Sequence, residues 1–133
     1  MKIRKALIAL FAGSILLFAT PTALTPVAAN GPYPAAGTVF TFTAADVANG
    51  NEFAASGRDL ILAYNSDVSS HNVTITSQAD QFGRLGTITS EALPAGAYHL
   101  YGPLAKTGWA NSSGQILLSA DNAGVKFAIL QIP

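Results

Sequence analysis

The stretch DLILAYNSDVSSHNVTITS, residues 59–77, decides how the rest of the chain is read. Its opening run, DLILAYN, is apolar on both faces of an extended strand, as expected of a strand in the middle of a sandwich. SDVSSH is a cluster of turn residues. NVTITS then alternates, with Val73 and Ile75 on one side and Thr74 and Thr76 on the other, the period-2 signature of a strand with one buried face. The two runs and their turn read as a β-hairpin.

The same punctuation extends in both directions. Upstream, TVFTFT (38–43) alternates threonine with Phe40 and Phe42, and EFAA (52–55) is a short strand ended by SGR. Downstream, QADQFGRLG is a long loop with two glycines, and TITSEA (87–92) is another strand. In LPAG (93–96) a proline in second place and a glycine in fourth match a type I turn. AYHLY (97–101) follows, with Ala97, His99 and Tyr101 on one face and Tyr98 and Leu100 on the other. GPLAKTGWANSSG is a loop around Trp109, QILLS (115–119) a strand, ADNAG a turn, and VKFAILQI (125–132) closes the series. Seven or eight strands separated by turns predict an all-β fold, an antiparallel β-sandwich of jelly-roll or immunoglobulin-like type. One domain, 38–133, holds it, preceded by the Pro/Gly/Ala connector NGPYPAAG (30–37).

Residues 1–29 stand apart. MKIRK supplies Lys2, Arg4 and Lys5, and the uncharged block 6–19 has the length of a secretory h-region rather than the ~20 residues of a membrane span. Val27 and Ala29 are placed for a small-x-small cleavage, so a signal-peptide-like leader cut after Ala29 is expected, with a retained arm or membrane anchor as the alternative. Beyond residue 29, four basic residues (Arg58, Arg84, Lys106, Lys126) against seven acidic ones leave a net charge of −3. That balance lacks the cationic surface needed to neutralise phosphates, so no nucleic-acid partner is expected. The absence of cysteine excludes disulfides, thiolate nucleophiles and Cys-ligated zinc. The fold must be held by apolar packing, helped by neighbouring subunits.

Catalytic patterns are missing. The two histidines, His71 and His99, lie in a polar turn and in mid-strand, without the H-x-H or H-E-x-x-H spacing of a metal site or a G-x-S-x-G elbow to serve. Asp46, Asp59, Asp67, Asp80 and Asp121 sit in or beside turns, where aspartate hydrogen-bonds its own backbone. DNAG lacks the ligand series of a calcium loop, and the glycines of QFGRLG do not open a helix as a phosphate loop requires. No enzymatic activity, metal or cofactor is expected. Tyr98, Tyr101 and Trp109 are available as core or as an aromatic platform, and Phe53, Phe82 and Leu104 are apolar groups assigned to loops, which would suit an oligomeric surface.

Taken in order, Asn65 closing a strand, Val73 to Ile75, the loop DQFGR (80–84), the turn PAG (94–96), the step YGP (101–103) and the terminal VKFAILQIP (125–133) resemble small structural proteins of tailed bacteriophages and prophages, in particular head decoration or minor capsid proteins. The resemblance covers roughly residues 59–133. It implies a virion protein that binds the major capsid protein or other virion subunits and its own copies, with Tyr101, Pro103, Leu104 and Trp109 as contact residues. The leader departs from that pattern, because capsid proteins assemble in the cytoplasm. An exported surface or periplasmic module, binding a glycan or a protein, is the rival expectation.

Overall fold

Residues 20–133 are described by a computed structural model, in which they form ten β-strands and no helix. In chain order these are β1 (Thr22–Ala23), β2 (Val27–Ala28), β3 (Thr43–Ala44), β4 (Asn51–Ala54), β5 (Asp59–Asn65), β6 (His71–Thr76), β7 (Ile88–Leu93), β8 (Tyr98–Leu104), β9 (Gln115–Ala120) and β10 (Val125–Gln131). One sheet has the order β1-β4-β9-β6-β7; the other has β2-β10-β5-β8, with β3 also on β10. β1 runs parallel to β4 and β2 parallel to β10, while the remaining pairings are antiparallel. The sheets are therefore mixed, where the sequence predicts wholly antiparallel ones.

The parallel strands come from residues 22–28, ahead of the expected domain. Thr22 N–H donates to Gly50 O at 3.0 Å, Leu24 N–H to Glu52 O at 2.7 Å and Ala29 N–H to Gln131 O at 2.8 Å. Leu24, 6% exposed, belongs to the buried core. Residues 1–19, which carry the charged and apolar parts of the expected leader, lie outside the described residues. The predicted strand 38–43 shrinks to Thr43–Ala44 because one edge of β10 is shared: β3 takes Lys126 and Phe127, and β2 takes Leu130 and Gln131.

The hairpin expected from residues 59–77 does not form. β5 has both edges occupied, by β10 and β8, and β6 has both of its own occupied, by β9 and β7, so the two lie in different sheets. The cause is local. Asn65, fully buried at the end of β5, donates from Nδ2 to Ser69 O at 2.7 Å and to Leu93 O at 2.9 Å, and its Oδ1 accepts from Asp67 N–H at 3.0 Å. Leu93 ends β7 of the opposite sheet, so the amide carries the chain across the sandwich instead of back along its own sheet. From β3 onward only the β6–β7 connection stays within one sheet.

The 93–97 turn is a second crossing. Ala97 N–H donates to Pro94 O at 3.1 Å, so the turn runs one residue later than LPAG and puts Gly96 in third place. There φ is +70°, which a glycine adopts without strain.

Both inner faces feed one core. Ile61 and Ala63 of β5, Tyr101 and Leu104 of β8, and Val125, Phe127 and Ile129 of β10 meet Phe53 of β4, Val73 and Ile75 of β6, Leu93 of β7, and Ile116 and Leu118 of β9. Phe53 lies in a strand, as the reading of EFAA expects, and not on an exposed loop; it is among the most buried side chains. Its alternation with Asn51 along β4 turns both inward.

Two substitutions test this frame by chemical denaturation. Asn65→Ala removes the amide donor to the Ser69 and Leu93 carbonyls, leaving Leu93 O only the longer bond from Ser70 Oγ at 3.4 Å, and is expected to cost about 2–4 kcal/mol. Gly102 has φ +111°, and a Cβ there would stand 2.5 Å from Asp59 O and 3.0 Å from Leu104 N. Gly102→Ala is expected to cost about 2 kcal/mol or more, because backbone and not a pliable side chain must move.

Candidate functional site

The four residues singled out as contacts do not share a surface. Tyr101 and Leu104 are 8% and 5% exposed and belong to the core, Trp109 packs half-buried against it, and Pro103 is exposed. Alternation along β8 is responsible: Tyr101 pairs with Ile61 and turns inward with it, while Tyr98 and Leu100 turn out. Tyr98, Tyr101 and Trp109 accordingly do not make one platform. Burial pushes the Tyr101 phenol upward, and the neighbouring Glu91 carboxylate adds to the shift. The phenol oxygen lies 3.4 Å from His99 Nδ1, which is also 3.4 Å from Glu91 Oε1.

The outer face of the β10-β5-β8 sheet is apolar, with Tyr98 and Leu100 exposed, Leu60, Leu62, Tyr64 and Leu130 half-buried and Ala128 buried. Cross-strand register lays it out in rows: Lys126, Tyr64 and Tyr98 in one, Ala128, Leu62 and Leu100 in the next, then Leu130 beside Leu60. Tyr64 and Tyr98 stack with ring centres 4.3 Å apart and planes 12° from parallel. Phe42 leans on both rings at 5.9 and 6.2 Å, and Phe40 meets Phe42 edge-on at 5.7 Å. Tyr98 and Leu100 remain 63% and 62% exposed. Lys126 is the one charge in these rows. The stacked pair fixes the ring positions before any partner arrives, which lowers the ordering cost of binding. Sequence reading missed this surface because an apolar run on both faces was assigned to the sandwich interior. The F-x-F of residues 40–42 beside that run was the usable signal.

The opposite outer face is polar. Asn72, Thr74, Ser90, Ser119, Ala120 and Asp121 line a groove of about 340 Å³ on β6, β7 and the end of β9. Ser90 sits at φ +49°, uncommon for a side-chain-bearing residue, beside the register shift between β6 and β7, and its N–H donates to Thr74 Oγ1 at 3.0 Å. At the rim, His71 has Nε2 2.8 Å from Asp67 Oδ2 and Nδ1 3.2 Å from Asp121 Oδ1. Asn72 holds Asp121 through its N–H at 3.1 Å and Nδ2 at 3.0 Å. The imidazole stands between the carboxylates with its nitrogens aimed apart, so the three do not converge on a point. Among the described residues no group of three or more His, Asp or Glu is arranged to hold a metal ion.

Three surface carboxylates are held below their ordinary range by hydrogen bonds. For Asp46 the Asn49 side chain contributes most, then Thr22; for Asp67 it is His71; for Asp80 it is the Arg84 backbone, then its side chain. A depressed folded pKa stabilises above the unfolded value and loses that contribution as pH falls through the folded one. Thermal melts from pH 7 downward are expected to hold level to about pH 4 and then decline. Asp46→Asn is expected to flatten part of that acid limb.

No known family, curated protein or solved structure matches this chain.

Proposed function

We propose that this chain is a non-enzymatic virion structural protein, a decoration or minor head protein that docks on a capsid lattice through the outer face of its β10-β5-β8 sheet. The observation that carries the reading is exposed Tyr98, pre-stacked on half-buried Tyr64 and continuous with Leu62 and exposed Leu100. A contiguous apolar face rimmed by polar residues marks a macromolecular contact. Fold-level analogy supports it: β3-β10-β5-β8 over β4-β9-β6-β7 is the strand order of an eight-stranded jelly roll, an architecture that recurs in viral capsid and lectin domains. On a repeating lattice a modest contact is multiplied by effective concentration. The partners are the major capsid protein or other virion subunits and further copies of this chain, with no cofactor and no nucleic acid.

A second reading has its own observation. The polar groove of Asn72, Thr74, Ser90, Ser119 and Asp121 offers the hydroxyl, amide and carboxylate partners that a sugar uses, which suits an exported surface or periplasmic module.

The double variant Tyr98→Ser, Leu100→Ser tests the first reading. Both side chains are exposed, so the melting temperature is expected to change little, while particle occupancy by co-sedimentation is expected to fall at least tenfold, as for loss of central aromatic and aliphatic anchors. Unchanged occupancy overturns the docking face. Loss of glycan binding on Thr74→Val, with the double variant intact, transfers the assignment to the polar groove.

A further inference from the structure

Residues 20–29 bridge the sandwich. Thr22 and Ala23 pair with Asn51 and Glu52 on the edge of one sheet, Val27 and Ala28 pair with Leu130 and Gln131 on the edge of the other, and Leu24 between them enters the core. Uncovered edges would present unpaired carbonyls at Gly50, Glu52 and Gln131, the template on which another strand adds. We propose that this strap is exchangeable between copies: in assembled material the strap of one molecule seats on β4 and β10 of a second, and the second molecule's strap is released to do the same.

Every contact the strap makes is to groups that each copy presents. They include the ladder positions on β4 and β10, the three backbone acceptors, the Leu24 site, and Asp46 Oδ2, which accepts from Thr22 Oγ1 at 2.8 Å. Seating in trans therefore keeps the same contacts as seating in cis, and the connector decides between them. Ala28 lies against Gln131 and Thr43 against Phe127, four residues apart along β10, or about 13 Å. The intervening residues 30–42 extend to about 43 Å, roughly three times that span. They are largely exposed, and the side-chain hydrogen bonds within them, Asn30 N–H to Thr38 Oγ1 and Asn30 Nδ2 to Ala36 O, close residues 30–38 on themselves; only near its end does the connector touch the sandwich, where Phe42 rests on Tyr64 and Tyr98. The seam is also imperfect: among the described residues, buried Asn51, opposite Thr22, has no hydrogen-bond partner for Nδ2.

A flexible connector holds its own strap at an effective concentration of the order of millimolar, so dilute protein closes on itself and crowded copies exchange. Reciprocal exchange gives a closed dimer, and head-to-tail exchange gives an open chain.

The chain has no native cysteine, so introduced thiols report the contact without interference. Ala28 and Gln131 are register partners. Full-length chains bearing Ala28→Cys alone and Gln131→Cys alone, distinguished by mass, are unfolded together, refolded at about 1 mM and oxidised. A disulfide-linked heterodimer is expected, well above the yield of Ala28→Cys mixed with Lys106→Cys. The Ala28→Cys, Gln131→Cys double variant is expected to give covalent dimers and longer ladders beside an intrachain monomer. An exclusively monomeric, internally bridged double variant, with no heterodimer above the control, overturns the proposal. The internal bridge in that outcome also shows that the strap folds and seats, so a failure to fold is not mistaken for a failure to exchange.

Discussion

The side-chain amide of Asn65 ties β5 of one sheet to Leu93 of the other through a single buried hydrogen bond of 2.9 Å. Two of the sheet-to-sheet connections converge on this residue. With the chain lifted across the sandwich at that point, β6 is free to pair with β9 and β7, and β5 is left between β10 and β8. The second crossing is locked to the same residue, because Gly96 N–H donates to Asn65 O at 2.9 Å and Asn65 N–H to Ala97 O at 3.0 Å. One asparagine therefore organises two of the connections that make this a two-layer fold and not a meander.

The strand pattern was legible because alternation is a local property. Val73 and Ile75 turn inward and Thr74 and Thr76 outward as their spacing requires, and Tyr98 and Leu100 separate from Tyr101 for the same reason. Pairing was not legible, because alternation says which face is buried and nothing about which edge is joined. The hairpin expectation failed for that reason. A five-residue polar turn serves a hairpin or a crossing equally well, and the deciding bonds from Asn65 reach 4 and 28 residues away. The strap was equally hidden: Leu24 amid prolines and alanines has no period, and its burial depends on edges formed by residues 51–52 and 130–131.

Contact residues were harder to read than strands. The expected set, Tyr101, Pro103, Leu104 and Trp109, was gathered by position near turns, yet burial follows the register of β8 on β5, which places Tyr101 opposite Ile61. The apolar outer face was visible in the residues and assigned to the wrong place. An unbroken run such as 60–64 means a strand covered on both sides. In this chain one side is covered by the opposite sheet, and the other carries only the partial cover of Phe40 and Phe42.

That asymmetry bears on what the molecule can be. The β4-β9-β6-β7 face carries Asn72, Thr74, Thr76 and Ser119 outward, a surface content with water, while the β10-β5-β8 face carries Leu60, Leu62, Leu100 and a stacked tyrosine pair with one lysine. A sandwich built only to be soluble has no reason to differ so between its two sides. The difference gives the domain a direction: one side suited to a protein surface and the other to solvent, with a connector and strap emerging along the β4 and β10 edges between them. The proposed docking face and the proposed strap exchange use different backbone and side-chain atoms of the sandwich, the first the outward side chains of β5 and β8 and the second the edges of β4 and β10, so neither proposal excludes the other.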